Sequence, residues 1–465
     1  MKKTALILAV LLVLAVGSLP WIHGTINEQK ESVTITEEVL AGNASAASGL
    51  TVEALTYMDD HLFWETTFRP GSEAAAETEF TFEWKRRQKS YGSTAEPELQ
   101  VGVPSTDFVL GHISGRERLL EVLDEKMIKD PVLDVLSRAP VGEDYTEVVK
   151  LKEYYDVYPL VIEYTGMIGM TEETRPEIYG QLTEFFSIPV SEDERLEVTI
   201  ESDELGNETT IRCRTQEESV SQKPRFYGIL AEDGGYLIPT PYEAMRADHG
   251  IYFFPMVEGT NGQIPDLSQM RSVYPVEKDA NVRQLYYHRD LDQLMLFTEE
   301  QGRLWMTVID RMTMEPLQRA DLGNITETEA MSEIVIDGSL FMITIYDKID
   351  QEAGIRPRRM VLLEWGEVNW ERKLSSSLNW PGEAESDFRD DVEETAVLAW
   401  DGQKLAIVQW SKNFSTCDVY LRIFEHDTLA YVGVYHRNDT KKNYYRSDIS
   451  ITPWTREDGL KAYWN

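Results

Sequence analysis

Hydrophobicity with a period of two, gathered into four-strand units that recur along the second half of the chain, constrains this sequence more than any other feature. In the first unit Leu285-Tyr286-Tyr287 leads to Asp290 and Asp292, and Leu294 to Phe297, Leu304 to Ile309 and Leu317 follow. In the second, Ile334 to Ile336 leads to Asp337-Gly338, then Leu340 to Tyr346, Met360 to Trp365 and Trp370 to Leu374. In the third, Ala396 to Trp400 leads to Asp401-Gly402, then Leu405 to Trp410, Val419 to Phe424 and Ala430 to Tyr435. A weaker fourth unit starts at Gly228, with Asp233-Gly234 and Tyr236-Leu237-Ile238. Each unit is a strand, an Asp-containing turn, an apolar strand, a variable loop, a longer aromatic-apolar strand, a polar turn and a last strand. Spacings of roughly 45 to 65 residues are those of propeller blades. The inner strands are apolar on both sides, as required of a sheet covered on both faces. The expectation is a mainly all-β chain, an irregular β-propeller-like body with a short helical insertion near 114–138. No W-D or kelch signature marks the units, and two β-sandwich domains are the alternative.

The first half carries the same period less regularly. Thr51 to Tyr57, His61 to Phe68 and Glu79 to Trp84 read as short strands between Asp, Gly and Ser turns. Val148 to Tyr164 is apolar, with Pro159 interrupting it. Arg195 to Ser202 and Glu208 to Arg214 flank Glu204-Leu205-Gly206-Asn207, a hairpin signal. Ser114 to Met127 is helical in pattern, with apolar Leu119, Leu120, Leu123 and Met127 and a capping box of Ser114 and Glu117. Asp130-Pro131 starts a second short helix with Val132, Leu133, Val135 and Leu136 on its apolar side. Ile449-Ser450-Ile451-Thr452 looks like a closing strand that pairs with an early one.

Ahead of the body, Met1, Lys2 and Lys3 precede an uncharged apolar run from Thr4 to Val16, extended by Gly17 to Ile22. Basic residues before such a run and a mainly acidic chain after it orient the body outward. Residues 1–22 read as a retained signal-anchor, with Trp21 at the interface; cleavage after Gly17 and secretion is the alternative. Residues 23–50 read as a tether, with one weak strand over Ser32 to Leu40 and linker composition over Asn43 to Gly49. Residues 51–465 form the ectodomain. The expected place is the cell membrane, single-pass, with the body extracytoplasmic.

Charge narrows the partners. The chain has 81 acidic against 45 basic residues, a net charge of −36. A phosphate backbone needs clustered Lys and Arg, so nucleic acid is excluded, and so is docking of the body on an anionic membrane surface. Two cysteines, Cys213 and Cys417, exclude a disulfide scaffold and leave a single long-range bridge or two buried thiols.

The phrase from Thr36 to Thr67, with Glu37-Glu38-Val39-Leu40-Ala41-Gly42-Asn43 and His61-Leu62-Phe63-Trp64-Glu65-Thr66-Thr67, is joined by Lys152-Glu153-Tyr154-Tyr155-Asp156-Val157-Tyr158-Pro159-Leu160. With these the chain resembles a group of membrane-anchored, β-rich envelope proteins of anaerobic Gram-positive bacteria. The resemblance implies an envelope location and a β-rich fold. It brings no activity and no site residues.

No motif fixes a reaction. The seven histidines, His23, His61, His112, His249, His288, His426 and His436, do not pair at metal-ligand spacing. Gly111-His112-Ile113-Ser114-Gly115 has the residues of a nucleophile elbow in the wrong spacing, and Ser202-Asp203-Glu204-Leu205-Gly206 is only a partial Asp-box. Tyr154, Tyr155, Tyr158, Tyr286, Tyr287, Tyr444 and Tyr445 lie in strand-like runs, where core packing accounts for them. Asn43, Asn207, Asn324, Asn413 and Asn438 begin N-x-S/T triplets and read as turn chemistry. The longest polar loops are Asp347 to Arg359 and Pro381 to Glu394. The second carries the candidate binding residues Glu383, Glu385, Asp387, Asp390 and Asp391, with Glu393 and Glu394 beyond them. Such carboxylates create a local negative potential for a cationic partner. The expectation is a binding or sensor module without a cofactor or metal, for a protein or carbohydrate partner at the envelope. An extracellular carbohydrate-active enzyme is the alternative.

Overall fold

The computed structural model describes residues 34–58, 62–71, 76–83, 99–114, 128–140, 142–164, 174–202, 208–216, 225–240, 245–260, 262–347, 358–380, 396–410, 418–437, 452–453 and 459–465, with a few single positions before residue 25. Four strands come first: β1 (Ile35–Gly42), β2 (Leu50–Met58), β3 (Leu62–Phe68) and β4 (Glu77–Phe82). Then come β5 (Leu99–Gly102), β6 (Phe108–Ser114), helix α1 (Asp130–Arg138), β7 (Tyr145–Lys150), β8 (Val161–Tyr164) and helix α2 (Arg175–Phe186). A hairpin of β9 (Arg195–Ser202) and β10 (Glu208–Thr215) precedes β11 (Phe226–Ala231), β12 (Gly234–Pro239), β13 (Gly250–Gly259), β14 (Gly262–Pro265) and β15 (Arg271–Pro275). The repeats follow as β16 (Asn281–His288), β17 (Gln293–Glu300), β18 (Arg303–Asp310) and β19 (Pro316–Asn324), then β20 (Glu329–Asp337), β21 (Leu340–Asp347), β22 (Arg358–Trp365) and β23 (Trp370–Ser377). Last are β24 (Val397–Trp400), β25 (Lys404–Trp410), β26 (Val419–Glu425), β27 (Thr428–Arg437), β28 (Thr452–Pro453) and β29 (Leu460–Trp464). The chain is mainly all-β. The structure divides into two compact units, one of residues 1–94 with 326–465 and one of residues 95–325.

The repeats read from the sequence are the sheets of the structure. Strands β16 to β19, β20 to β23 and β24 to β27 each pair in chain order as antiparallel up-and-down sheets. The weaker fourth unit pairs β11, β12 and β13 in order, with β14 and β15 both on β13. A four-strand antiparallel meander is the unit that a propeller repeats.

In the first unit the β24–β27 sheet is covered on both faces. Leu398, Leu405, Ile407 and Phe424 pack with Met342, Leu362 and Leu374 of the β20–β23 sheet. Ala406, Val408, Leu421 and Ile423 pack with Leu50, Val52, Ala54 and Phe68 of β2 and β3. Each fully buried Leu- or Ile-sized side chain stabilises the fold by about 1.5–3 kcal/mol. Three sheets stacked in series are a blade arrangement; a β-sandwich has two layers.

Late strands pair with early ones within this unit. β29 runs antiparallel to β2, from Leu50↔Trp464 to Ala54↔Leu460, and β1 pairs with β27. The closing strand is thus Leu460–Trp464, beginning eleven residues later than the Ile449–Thr452 expectation, of which only Thr452 is described, in the two-residue β28. The Asp turns explain their own recurrence. Asp337 Oδ2 accepts the N–H of Leu398 at 2.8 Å, stitching one sheet to the next, and Asp427 Oδ1 accepts that of Ser375 at 3.0 Å. Asp401 Oδ1 closes its own turn on the N–H groups of Gln403 and Lys404.

The second unit contains the less regular sheet, in the order β6, β10, β9, β7. Helix α1 lays Val132 and Val135 on one face, against Val149, Leu196, Val198, Ile200 and Ile211. The other face leaves Val109 and Val148 exposed. Strands β5 and β8 form a two-stranded pair that shares its core with α2, β12 and β13. The β11–β13 sheet packs through Ile229, Ile238 and Ile251 on Leu285, Leu294 and Leu296 of the β16–β19 sheet.

Two local expectations change. Asn43 to Gly49 is not free linker: residues Ala44–Ala47 form a 3-10 turn, capped by Asn43 Oδ1, with Ala46 and Ala47 buried. Ser114 is the last residue of β6, and residues 115–127, the rest of the first predicted helix, lie outside the described residues. The second predicted helix is α1, with Asp130 in its first turn and Pro131 behind it. Cys213 is a free, buried thiol, pushed up to about 12 by burial and then by the charge of Asp107; Cys417 lies outside the described residues. Among the described residues no helix is long and apolar enough to cross a membrane, and the run from Thr4 to Val16 lies mostly outside them.

Candidate functional site

Helix α2 builds a cleft that combines space with charge. Ile178, Leu182 and Phe186 recur every four residues and form its buried face. Phe186 meets Phe226 edge-on at 5.0 Å and Tyr252 at 5.4 Å, and Phe185 meets Tyr252 at 5.3 Å. Such edge-to-face contacts add to the burial of each ring. The helix ends at Ser187 in the left-handed conformation, its N–H bonded to Thr183 O at 2.9 Å. The carbonyl of Phe186, left over at the helix end, accepts the N–H of Arg246 at 3.3 Å. That bond brings residues 245–248 beside the helix. Tyr252 donates its hydroxyl to the carbonyl of Asp248, and burial, with the nearby Asp248 charge second, pushes its phenol up to about 12.

The far wall comes from β15 and the turn before it. Asp266 accepts from Ser268 N at 3.2 Å, from Ser268 Oγ and from Gln269, and these bonds hold its carboxyl below the usual aspartate range. The turn so fixed sets buried Leu267 and Met270 against the cleft. The result is an open cleft of about 710 Å³. Its floor is Phe185, Tyr252, Leu267 and Met270, and its rim carries Arg246, Arg271, Glu184 and Asp248. Both arginines are exposed. Arg271 lies 4.8 Å from the centroid of the Phe253 ring. Among the described residues neither guanidinium takes part in an ion pair.

Other charged clusters are already committed to the fold. Arg311 holds both oxygens of Asp292, pairs with Asp233 and lies over Tyr287. Asp292 is held below the usual aspartate range by Arg311, with a further hydrogen bond from Tyr287, and these bonds outweigh the burial that opposes them. Glu194, buried, accepts from the hydroxyl of Tyr158. His288 is buried, which holds its imidazole below its ordinary range. His249 places Nδ1 3.0 Å from the carbonyl of Glu277. Among the described residues no three His, Cys, Asp or Glu side chains are placed to hold a metal ion.

The candidate residues Glu383, Glu385, Asp387, Asp390 and Asp391 lie outside the described residues. Of the tyrosines singled out in the sequence, Tyr158 and Tyr287 are buried, Tyr154 and Tyr155 pack at the edges of cores, and Tyr444 and Tyr445 lie outside the described residues. Arg246 and Arg271 carry no sequence signature. The four-residue spacing of Ile178, Leu182 and Phe186 is the signal that could have found α2 and so one wall of the cleft.

No known family matches the chain, and no curated protein matches it. Among solved structures, the β-propeller domain of Myceliophteria thermophila Cps50 (Swd1) is similar at 10% identity and a TM-score of 0.24, over 52% of this chain and 80% of its own. A hypothetical selenium-binding protein from Sulfolobus tokodaii is similar at 11% identity and a TM-score of 0.24, over 81% of this chain and 71% of its own. Likeness at that level carries nothing about activity or ligand.

Proposed function

We propose that this chain is a membrane-tethered, extracytoplasmic binding module, and that the cleft beside α2 takes a small organic ligand bearing a carboxylate or phosphate. The observation that carries the proposal is the pair of exposed guanidinia, Arg246 and Arg271, on the rim of an apolar floor. In a chain with 81 acidic and 45 basic residues, two arginines at one cleft with no ion pair among the described residues stand apart from the electrostatic background. The planar guanidinium fork fits a carboxylate or phosphate in two parallel hydrogen bonds. Glu184 and Asp248 share the rim and repel a polyanion, so the ligand is compact, with a cationic or hydroxylated remainder. An amino acid and an acidic sugar both meet that description. The basic start, the apolar run after it and the acidic body support the location.

Titration calorimetry of the full chain with glutamate, galacturonate and inorganic phosphate tests the site. Binding of one of them, weakened at least about tenfold by Arg246→Ala with Arg271→Ala and weakened by salt in the parent, is the expected result. Equal binding by the parent and the double variant sinks the cleft as the ligand site.

A further inference from the structure

We propose that β1 is a releasable strap: it can leave the edge of β27 while β24 to β27 keep their core. β1 is the first described strand and follows 34 residues of chain. It pairs antiparallel with β27 from Ile35↔Arg437 to Gly42↔Tyr431, as a fifth strand on a sheet whose counterparts β16–β19 and β20–β23 have four. None of its eight residues is buried, and Val39 is half exposed. Its apolar contacts are peripheral: Ile35 packs at the edge of one core and Leu40 and Ala41 lie on Trp380, Tyr420, Val432 and Val434, while the buried residues of these cores all come from β24 to β27 and their neighbours.

Two adjacent carboxylates hold the strap from opposite faces. Glu37 accepts from the hydroxyls of Tyr431 and Tyr435, the second at 3.1 Å. Glu38 meets His436 Nε2 at 2.9 Å, and the other ring nitrogen of His436 lies 3.0 Å from Asp418 Oδ2. The other end is fixed. Asn43 donates its N–H to Ala430 O at 3.1 Å, and Gly42, at φ 77°, sits where a Cβ would run into the Ala430 carbonyl. Beyond it Ala46 and Ala47 are buried. The strap therefore opens from its N-terminal end and hinges at Gly42-Asn43. Release strands no buried hydroxyl, because Tyr431 and Tyr435 lie 2.8 Å apart and one turns its O–H from Glu37 to the other. It adds the length of eight extended residues, about 26 Å, to the segment ahead of the body.

Native-state hydrogen exchange on the full chain in lipid nanodiscs tests this. The amides of β1 that bond to β27 should exchange at least about tenfold faster than those shared by β25 and β26. Glu38→Gln, an exposed change, should speed β1 further and leave β25 and β26 alone. Leu421→Ala, which weakens the core, should speed β25 and β26 and leave β1 unchanged. A β1 that exchanges at the rate of β25 in the parent, or that accelerates in step with it in Leu421→Ala, opens only when the whole unit unfolds and overturns the proposal. Glu37→Gln is a harsher probe, because its carboxylate lies against buried tyrosines; Glu38→Gln keeps the test free of that complication.

Discussion

The β24–β27 sheet and the sheet of β6, β10, β9 and β7 are both antiparallel and four-stranded at heart, yet they solve burial in different ways. Strands β25 and β26 are buried almost continuously, with both parities of residue inside. Strand β9 alternates: Leu196, Val198 and Ile200 face α1, while Glu197 and Thr199 between them are only partly covered. Continuous apolar runs mark a sheet with neighbours on both faces, and alternation marks a sheet with one. The first kind is a link in a stack. The second kind stands outside a stack, and here a helix covers its one buried face.

The largest effect expected from this contrast is on closure. Deleting residues 459–465 removes β29, the Trp464 Nε1 bond to Ala399 O at 3.1 Å and the buried Leu460. Calorimetry should show the transition of the unit built from 1–94 and 326–465 lost or strongly lowered, with that of residues 95–325 retained. An unchanged melting curve would mean that β29 merely decorates the sheet. Next come single residues. Ile407→Ala and Leu421→Ala, on opposite faces of the β24–β27 sheet, should each cost about 2–5 kcal/mol by urea denaturation. Ile200→Ala, on the helix-covered face of β9, should cost the same, while its neighbour Glu201→Ala should cost at most about 1 kcal/mol through the exposed pair with Arg212. If Glu201→Ala proved as costly as Ile200→Ala, that sheet would have a second covered face.

Aspartates in corresponding turns sharpen the contrast further, because they titrate in opposite directions. Burial raises Asp337 above the usual aspartate range, although the Leu398 N–H works against it. Its contribution is fully present below the ordinary aspartate pKa and is lost as pH rises through the raised value. Asp337→Asn keeps a carbonyl for the Leu398 N–H and should gain stability on the parent as pH rises towards neutral. Asp292 is depressed, so its contribution is present above the ordinary pKa and is lost as pH falls through the depressed value. Asp292→Asn should therefore cost up to about 1 kcal/mol near neutral pH, screened at a half-exposed carboxylate, and nothing in strong acid. Denaturation midpoints at several pH values separate the two, and parallel pH profiles for both variants would refute the assignment. The smallest effect on stability is expected from amides at Glu383, Glu385, Asp387, Asp390 and Asp391. These should change stability by less than about 0.5 kcal/mol. If that loop attracts a cationic partner, they should flatten the salt dependence of its capture; unchanged capture removes the loop as a binding site.

What the sequence made legible follows from range. Meanders are local, so the strands around Leu294, Leu340, Leu405 and their neighbours, and the turns at Asp233, Asp337 and Asp401, could be placed from short patterns alone. The hairpin of β9 and β10 was legible for the same reason. Its flanking partners β6 and β7 were not, because each pairs across helices and loops that no local pattern encodes. Helix α2 hides behind Gly180 and two adjacent aromatics, Phe185 and Phe186, and its apolar stripe is narrow. The cleft draws on α2, residues 246–248 and β15, segments some 90 residues apart at the extremes. Nothing in any one of them announces a site.

The pairing of β2 with β29 also sets an order of events. Residues 95–325 are continuous in the chain and hold all their own sheets, so they can fold as soon as they are synthesised. The other unit must wait, because Leu50 cannot meet Trp464 until that residue has been made. Joining strands about 400 residues apart is a slow, non-local step. While it is pending, the edge of β2 lacks its C-terminal partners and stands open to the surroundings. Assembly of the finished body is thus timed by the arrival of its final strand, and that interval is when the chain is most exposed to aggregation and proteolysis.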